Sequence, residues 1–136
     1  MQQKIKILTV CAKGLNRSRY LAQYLRRRGY STRHGGVEGY IGWGGKDIAN
    51  YLSQKDIDWA DIIIIVRKRV AQILKKKFNT KGKKVIIFDI TDSKRLISEK
   101  YPEAKNWTKE EMNKKITYPK LREAIKPYLP LEKIYR

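Results

Sequence analysis

The chain has one cysteine, and its neighbours decide what that thiol can do. It stands in Thr9-Val-Cys11-Ala-Lys-Gly-Leu-Asn-Arg17-Ser18, after an apolar run and before a segment rich in arginine. The spacing is C-x5-R, followed directly by Ser18. A loop of this length running from a strand into a helix turns backbone amides inward. Together with the helix dipole, those amides make a cradle for a tetrahedral dianion. Gly14 permits the turn that a side chain would obstruct. Arg17 can fork onto two phosphate oxygens at once. Ala12, Lys13, Leu15 and Asn16 supply the other positions of the cradle. A thiol at a helix N-terminus beside arginine ionises more readily than a free one, and the thiolate is a strong nucleophile. Cys11 is therefore a candidate nucleophile, Ser18 a hydroxyl that can stabilise its sulfur, and Asn16 a brace for the loop. Plainer readings stand beside these: Cys11 also suits a buried small residue at a strand end, and Asn16 a turn or helix N-cap.

Phosphoryl transfer by such a thiol needs a proton donor for the leaving oxygen. The candidate is Asp92 in Ile-Thr-Asp-Ser, with Asp89 in reserve; both follow the apolar run VIIF at 85–88. Asp92 precedes SKRLIS and so also reads as a helix N-cap. The stretch GGVEGYIGWGG at 35–45 holds six of the nine glycines and two large aromatics, Tyr40 and Trp43, and reads as a loop in which Trp43 suits a core plug and an exposed wall equally. His34 reads as structural. One cysteine and one histidine cannot assemble a Cys/His metal site, and neither a metal nor a cofactor is expected.

These residues need elements to hold them. KIKILTV at 4–10 reads as a strand entering a core. SRYLAQYLRRR at 18–28 reads as a helix, with Leu21, Tyr24 and Leu25 on one stripe and Gly29 as its stop. YSTRH at 30–34 is a short second strand, 35–45 a loop, and KDIANYLS at 46–53 a short helix. Residues 62–66 are an apolar β-branched run, the pattern of a strand buried on both faces. A basic amphipathic helix is predicted over 67–78 and a further strand over 85–88. Trp107-Thr-Lys-Glu-Glu predicts a helix with Thr108 as N-cap and Glu111 completing a capping box. PKLREAIK at 119–126 predicts a closing helix with Pro119 at its first position, and PYLPLEKIYR a tail packed on the body. Strands and helices thus alternate, which implies an α/β fold with a four-stranded parallel sheet flanked by helices. Ligands in such sheets gather beyond the carboxyl ends of the strands, where Cys11 and Asp92 both fall.

The length of 136 residues suits a single domain. Within it, 93–117 reads as an insertion that serves as a lid, a partner site or packing. No apolar run reaches the ~20 residues of a membrane span, and MQQKIKILTV turns polar too soon for a secretory signal. The expectation is a cytosolic protein with no membrane span. Lys and Arg total 32 against 13 acids, for a net charge of +19. Such a surface draws anions, and contact with nucleic acid or another polyanion is one reading of it; a soluble lysine-rich surface is the other.

Taken together, the C-x5-R-S loop after the first strand, Asp92 after the fourth, DIDWADIIIIV and YPKLREAIKPYL resemble the low-molecular-weight protein tyrosine phosphatase family, over about residues 4–92 and 118–130. The resemblance implies a three-layer flavodoxin-like fold and hydrolysis of phosphomonoesters through a phosphocysteine. It implies roles for Cys11 as nucleophile, Arg17 as phosphate clamp and Asp92 as acid, an aromatic wall at Tyr40 and Trp43, and a phosphorylated protein as substrate, phosphotyrosine first. The chain lacks the family's second loop cysteine, carries Arg19 where the family has proline, and has Ser93 and Lys94 after the acid. The spelling C-x4-N-R-S is similar to RNA polymerase tail phosphatases of the same fold, which implies phosphoserine as the alternative. RNA 5′-phosphates, and phosphate or nucleic-acid binding without turnover, are further alternatives.

Overall fold

The computed structural model describes residues 4–41 and 47–135. The elements run β1 (Lys6–Cys11), α1 (Arg17–Arg27), β2 (Ser31–Gly36), β3 (Tyr40–Ile41), β4 (Asp47–Ile48), α2 (Gln54–Trp59), β5 (Ile62–Ile65), α3 (Lys68–Lys77), β6 (Lys84–Ile87), α4 (Lys94–Lys100), α5 (Lys109–Met112), α6 (Tyr118–Ile125) and α7 (Glu132–Tyr135). A 3-10 turn at Pro102–Asn106 follows α4, and a π-helical turn at Asn113–Thr117 joins α5 to α6.

β2, β1, β5 and β6 form one sheet in that order, every pair parallel. Helices cover both faces because β1 and β5 are apolar on both. Ile7, Ile62 and Ile64 pack with Leu21 and Leu25 of α1 and Leu121 and Ile125 of α6. Leu8, Val10, Ile63 and Ile65 pack on the other side with Ile57 of α2 and Val70 and Leu74 of α3. All four isoleucines of β5 are fully buried, each worth about 1.5–3 kcal/mol relative to exposure. This is the flavodoxin-like α/β architecture expected. The order reverses between β1 and β5, so the chain ends leaving those two strands open onto a shared crevice.

Two sequence expectations need correction. The second strand runs on through Gly35 and Gly36, which the glycine content had put in a loop; Gly36 pairs with Cys11 across the sheet. Residues 47–48 pair antiparallel with 40–41, and the helix expected at 46–53 begins only at Gln54. Ser53 caps it, with Asp56 accepting from the Ser53 amide at 3.0 Å, a reciprocal cap that outweighs the weaker stripe before it. The stretch 93–117 is ordered into α4, the 3-10 turn, α5 and the π turn around a small apolar cluster of its own, Ile97, Ala104, Met112 and Ile116. Thr108 Oγ1 caps α5 by accepting from the Glu111 amide at 3.1 Å. The tail returns to the body, with Leu131 fully buried and its amide donating to Tyr30 Oη at 2.9 Å. Among the described residues no helix is long and apolar enough to cross a membrane.

Candidate active site

The turn after β1 is held by backbone contacts that leave no room for side chains. Gly14 has φ +72°, and a Cβ there would lie 2.5 Å from Asn50 O and from Gly36 N. The Lys13 carbonyl accepts from the Asn50 amide at 2.8 Å, and the Ala12 carbonyl from the amides of Val37 and Glu38 at 2.9 and 2.8 Å. The loop is thus pinned to the end of β2 and to residue 50. His34 adds a tie from the side, Nδ1 lying 3.2 Å from the Gly14 carbonyl.

Pinning the loop folds it over the sulfur. The Gly14 amide donates to Cys11 Sγ at 3.2 Å, and Ser18 Oγ lies 3.1 Å from the same atom. The Ser18 hydroxyl is free to turn its hydrogen toward a thiolate. Cys11 is only 3% exposed and belongs to the core on one side, yet it also lines a cavity of about 360 Å³. Ala12, Lys13, Leu15, Asn16, Arg17 and Asp92 line the same cavity. Gly14 and Ser18 stand behind the lining, against the sulfur.

Arg17, the first residue of α1, is 5% exposed. Its Nη1 donates to the Ile90 carbonyl at 2.7 Å. Its Nε lies 3.4 Å from Asp92 Oδ1 without hydrogen-bond geometry, so a buried donor on the cavity wall has no hydrogen-bond partner. The contact is an ion pair, so Arg17 and Asp92, both lining the cavity, hold each other in place there.

Asp92 does not cap a helix. Ser93 does, its Oγ accepting from the Leu96 amide, and Asp92 turns instead toward the loop, where Oδ2 accepts from Asn16 Nδ2 at 2.9 Å. Asp89 faces away: Oδ1 accepts from the Lys68 amide at the start of α3, and the residue does not line the Cys11 cavity. Asn16 makes no side-chain cap to α1. Trp43 lies outside the described residues; Tyr40 contributes backbone to β3.

Several residues at the site were not singled out from sequence. Arg67, Arg69 and Lys109 line the cavity, as does Glu38. Arg67 lies two residues past the end of β5, and that position beyond a strand's carboxyl end was the available signal. Arg69 forks onto Glu38 at 3.2 and 2.5 Å. That guanidinium holds the Glu38 carboxyl below its ordinary range, against the opposing pull of partial burial. With Lys13, Arg17, Arg67, Arg69 and Lys109 set against Glu38 and Asp92, the lining carries an excess of positive charge. Among the described residues no cluster of three or more His, Cys, Asp or Glu has the geometry to hold a metal.

No protein-family model matches the chain, and no curated protein does. Among solved structures it is similar to the YwlE arginine phosphatase of Geobacillus stearothermophilus, at 20% identity over 96% of each chain and a TM-score of 0.44. It is also similar to the serine phosphatase of the RNA polymerase II CTD (SSU72 superfamily) of Drosophila melanogaster, at 15% identity over 90% of this chain and 95% of that one, with a TM-score of 0.42. A third, the uncharacterized protein lmo0427, is 23% identical over 65% of this chain and 79% of its own, with a TM-score of 0.35. At these scores none of the three assigns the chain a family or an activity, and the functional reading rests on the geometry.

Proposed function

We propose that the protein is a cysteine-dependent phosphatase that hydrolyses phosphomonoesters through a phosphocysteine, with protein phosphotyrosine as the first substrate to examine. The observation that carries this reading is the arrangement of Cys11 and Arg17 about one cavity. A sulfur held by a backbone N–H and a hydroxyl lies on a wall shared with the Arg17 guanidinium, which is ion-paired with Asp92 at 3.4 Å.

The steps follow from the chemistry of these groups. Arg17 and the loop bind the phosphate dianion. A lone pair on the Cys11 thiolate forms the P–S bond in line as the ester P–O bond breaks, and the leaving oxygen takes the proton of the Asp92 carboxyl. Asp92, now a carboxylate, accepts a proton from water as the water oxygen bonds to phosphorus. The P–S bond then breaks with its electron pair returning to sulfur, and inorganic phosphate leaves. The protein's contribution is positioning and charge stabilisation of the transferring phosphoryl group.

The excess of cations around the cavity favours a second reading of the substrate: a phosphate at the end of a polyanion such as RNA, drawn in by Lys13, Arg67 and Lys109. One panel tests both readings. Purified protein in chelator-containing buffer is expected to hydrolyse 4-nitrophenyl phosphate. Orthovanadate should inhibit it, and Cys11→Ser should abolish turnover while still binding vanadate. Rates on phosphotyrosyl peptide and 5′-phosphorylated RNA, each at several salt concentrations, then rank the substrates. Undiminished turnover by Cys11→Ser would remove the thiol from the reaction altogether.

A further inference from the structure

The stretch 93–117 and the first residue of α6 after it have no role in the steps above, yet Asn113 and Tyr118 reach the loop residue Asn16. Asn113, 9% exposed at the start of the π turn, accepts from Asn16 Nδ2 through Oδ1 at 3.2 Å. Tyr118, at the start of α6, donates from Oη to Asn16 Oδ1 at 2.6 Å. These partners are 97 and 102 residues from Asn16 in sequence. An ionised carboxyl only accepts hydrogen bonds and a protonated one still keeps an accepting oxygen, so in either state Asn16 can present Nδ2 to Asp92 and keep Oδ1 for the phenol. Tyr118 matches that orientation by donating to the oxygen that Asp92 leaves free.

The backbone is shaped to deliver both contacts. On an α-helix of 3.6 residues per turn, positions five apart point about 140° away from each other. Residues 113 and 118 are five apart, and the π turn between them widens the helix. The extra residue brings both side chains to one side, where a single asparagine receives them. The Tyr118 ring is itself fixed by stacking on Tyr20, with centroids 4.0 Å apart and planes at 4°. Tyr20 Oη in turn accepts from Arg122 Nη1 at 2.7 Å. Burial pushes the Tyr118 phenol above its ordinary pKa, which keeps it a donor across the neutral range.

We infer that Asn113 and Tyr118 are positioning residues for proton transfer at the Cys11 site. They lock the Asn16 amide, and the locked amide holds the Asp92 carboxyl at the mouth of the cavity. The inference rests on the phosphatase reading with Asp92 as the acid. It gives residues 113–118 a function: they tie the loop that binds phosphate to the loop that carries the proton.

The test uses the full chain and two substrates, phenyl phosphate with a poor leaving group and 2,4-dinitrophenyl phosphate with a good one. General acid catalysis is worth most where the leaving group is poor. Tyr118→Phe is expected to lower kcat on phenyl phosphate about ten-fold and on the dinitrophenyl ester less than about two-fold, with KM little changed. Asn113→Ala should do the same, and Tyr118→Phe carries the test alone if that buried change prevents folding. The double variant Asp92→Ala/Tyr118→Phe should be no slower than Asp92→Ala, since the tyrosine acts through the carboxyl. An equal loss on both substrates, an additive loss in the double variant, or a change in melting temperature with kinetics intact would overturn the positioning role. If Asp92→Ala itself fails to distinguish the two esters, the acid assignment falls and this inference with it, while a Cys11→Ser variant that still turns over would instead sink the phosphatase reading.

Discussion

Replacing Gly14 by alanine separates two costs that usually come together. The residue sits at φ +72°, where a Cβ meets backbone on two sides at 2.5 Å. Gly82 has a similar φ of +80° with nothing within 4 Å of the position a Cβ would take. Alanine at either site meets the left-handed penalty of roughly 1–2 kcal/mol, partly offset by about 0.4–1 kcal/mol from the stiffer unfolded chain. Gly82→Ala should therefore cost about 1 kcal/mol. At Gly14 the overlap falls on backbone atoms, which have to move by several tenths of an ångström, and overpacking of this kind costs about 1–3 kcal/mol more. The total is about 2–4 kcal/mol, measured as the difference in urea midpoint between variant and parent at unchanged slope. The same displacement takes the Gly14 amide away from Cys11 Sγ, now 3.2 Å off. The rate of Cys11 alkylation by iodoacetamide at one fixed pH should consequently change in Gly14→Ala and not in Gly82→Ala. Equal stability losses in the two variants would refute the argument that the loop is clamped between residues 36 and 50.

Two further outcomes are expected. Asp89→Ala should destabilise the protein by about 0.5–2 kcal/mol through loss of the acceptor for the Lys68 amide at the start of α3; its rates on good and poor leaving groups should fall together or stay unchanged, in contrast to Asp92→Ala. Burial first, and then the nearby Arg19 and Arg26, hold His34 below its ordinary value of 6.5, while its bond to the Gly14 carbonyl pulls the other way. The folded state thus favours the neutral ring, so this contribution to stability is complete above pH 6.5 and is lost as the pH falls through the lower folded value. NMR titration should place the ring below 6.5, and His34→Gln should flatten that part of the stability profile.

What could be read in the sequence was what depends on neighbours along the chain. The run Ile62–Val66 announced a strand covered on both faces because each of its residues is apolar, and the Cys11–Ser18 loop was visible because its residues are contiguous. Where two local signals competed, the sequence misled: the stripe at 46–53 suggested a helix, but the Ser53–Asp56 cap starts one at Gln54, and residues 47–48 pair with β3. Asp92 carried two readings at once, and only the position of Ser93 as the cap of α4 separates them. Asn113 and Tyr118 were out of reach because the contact that gives them meaning spans about a hundred residues. A buried asparagine inside a helical stretch was the one local hint, since asparagine there competes with the helix backbone.

The Arg17 side chain reaches in two directions. Its Nη1 is bound to the Ile90 carbonyl, two residues ahead of Asp92, while its Nε is left without a hydrogen-bond partner. The guanidinium is planar and rigid, so a shift at one edge is transmitted to the other. With Nε 3.4 Å from Asp92 Oδ1, the start of α1 and the turn at 90–92 are fastened at two points and move as one piece.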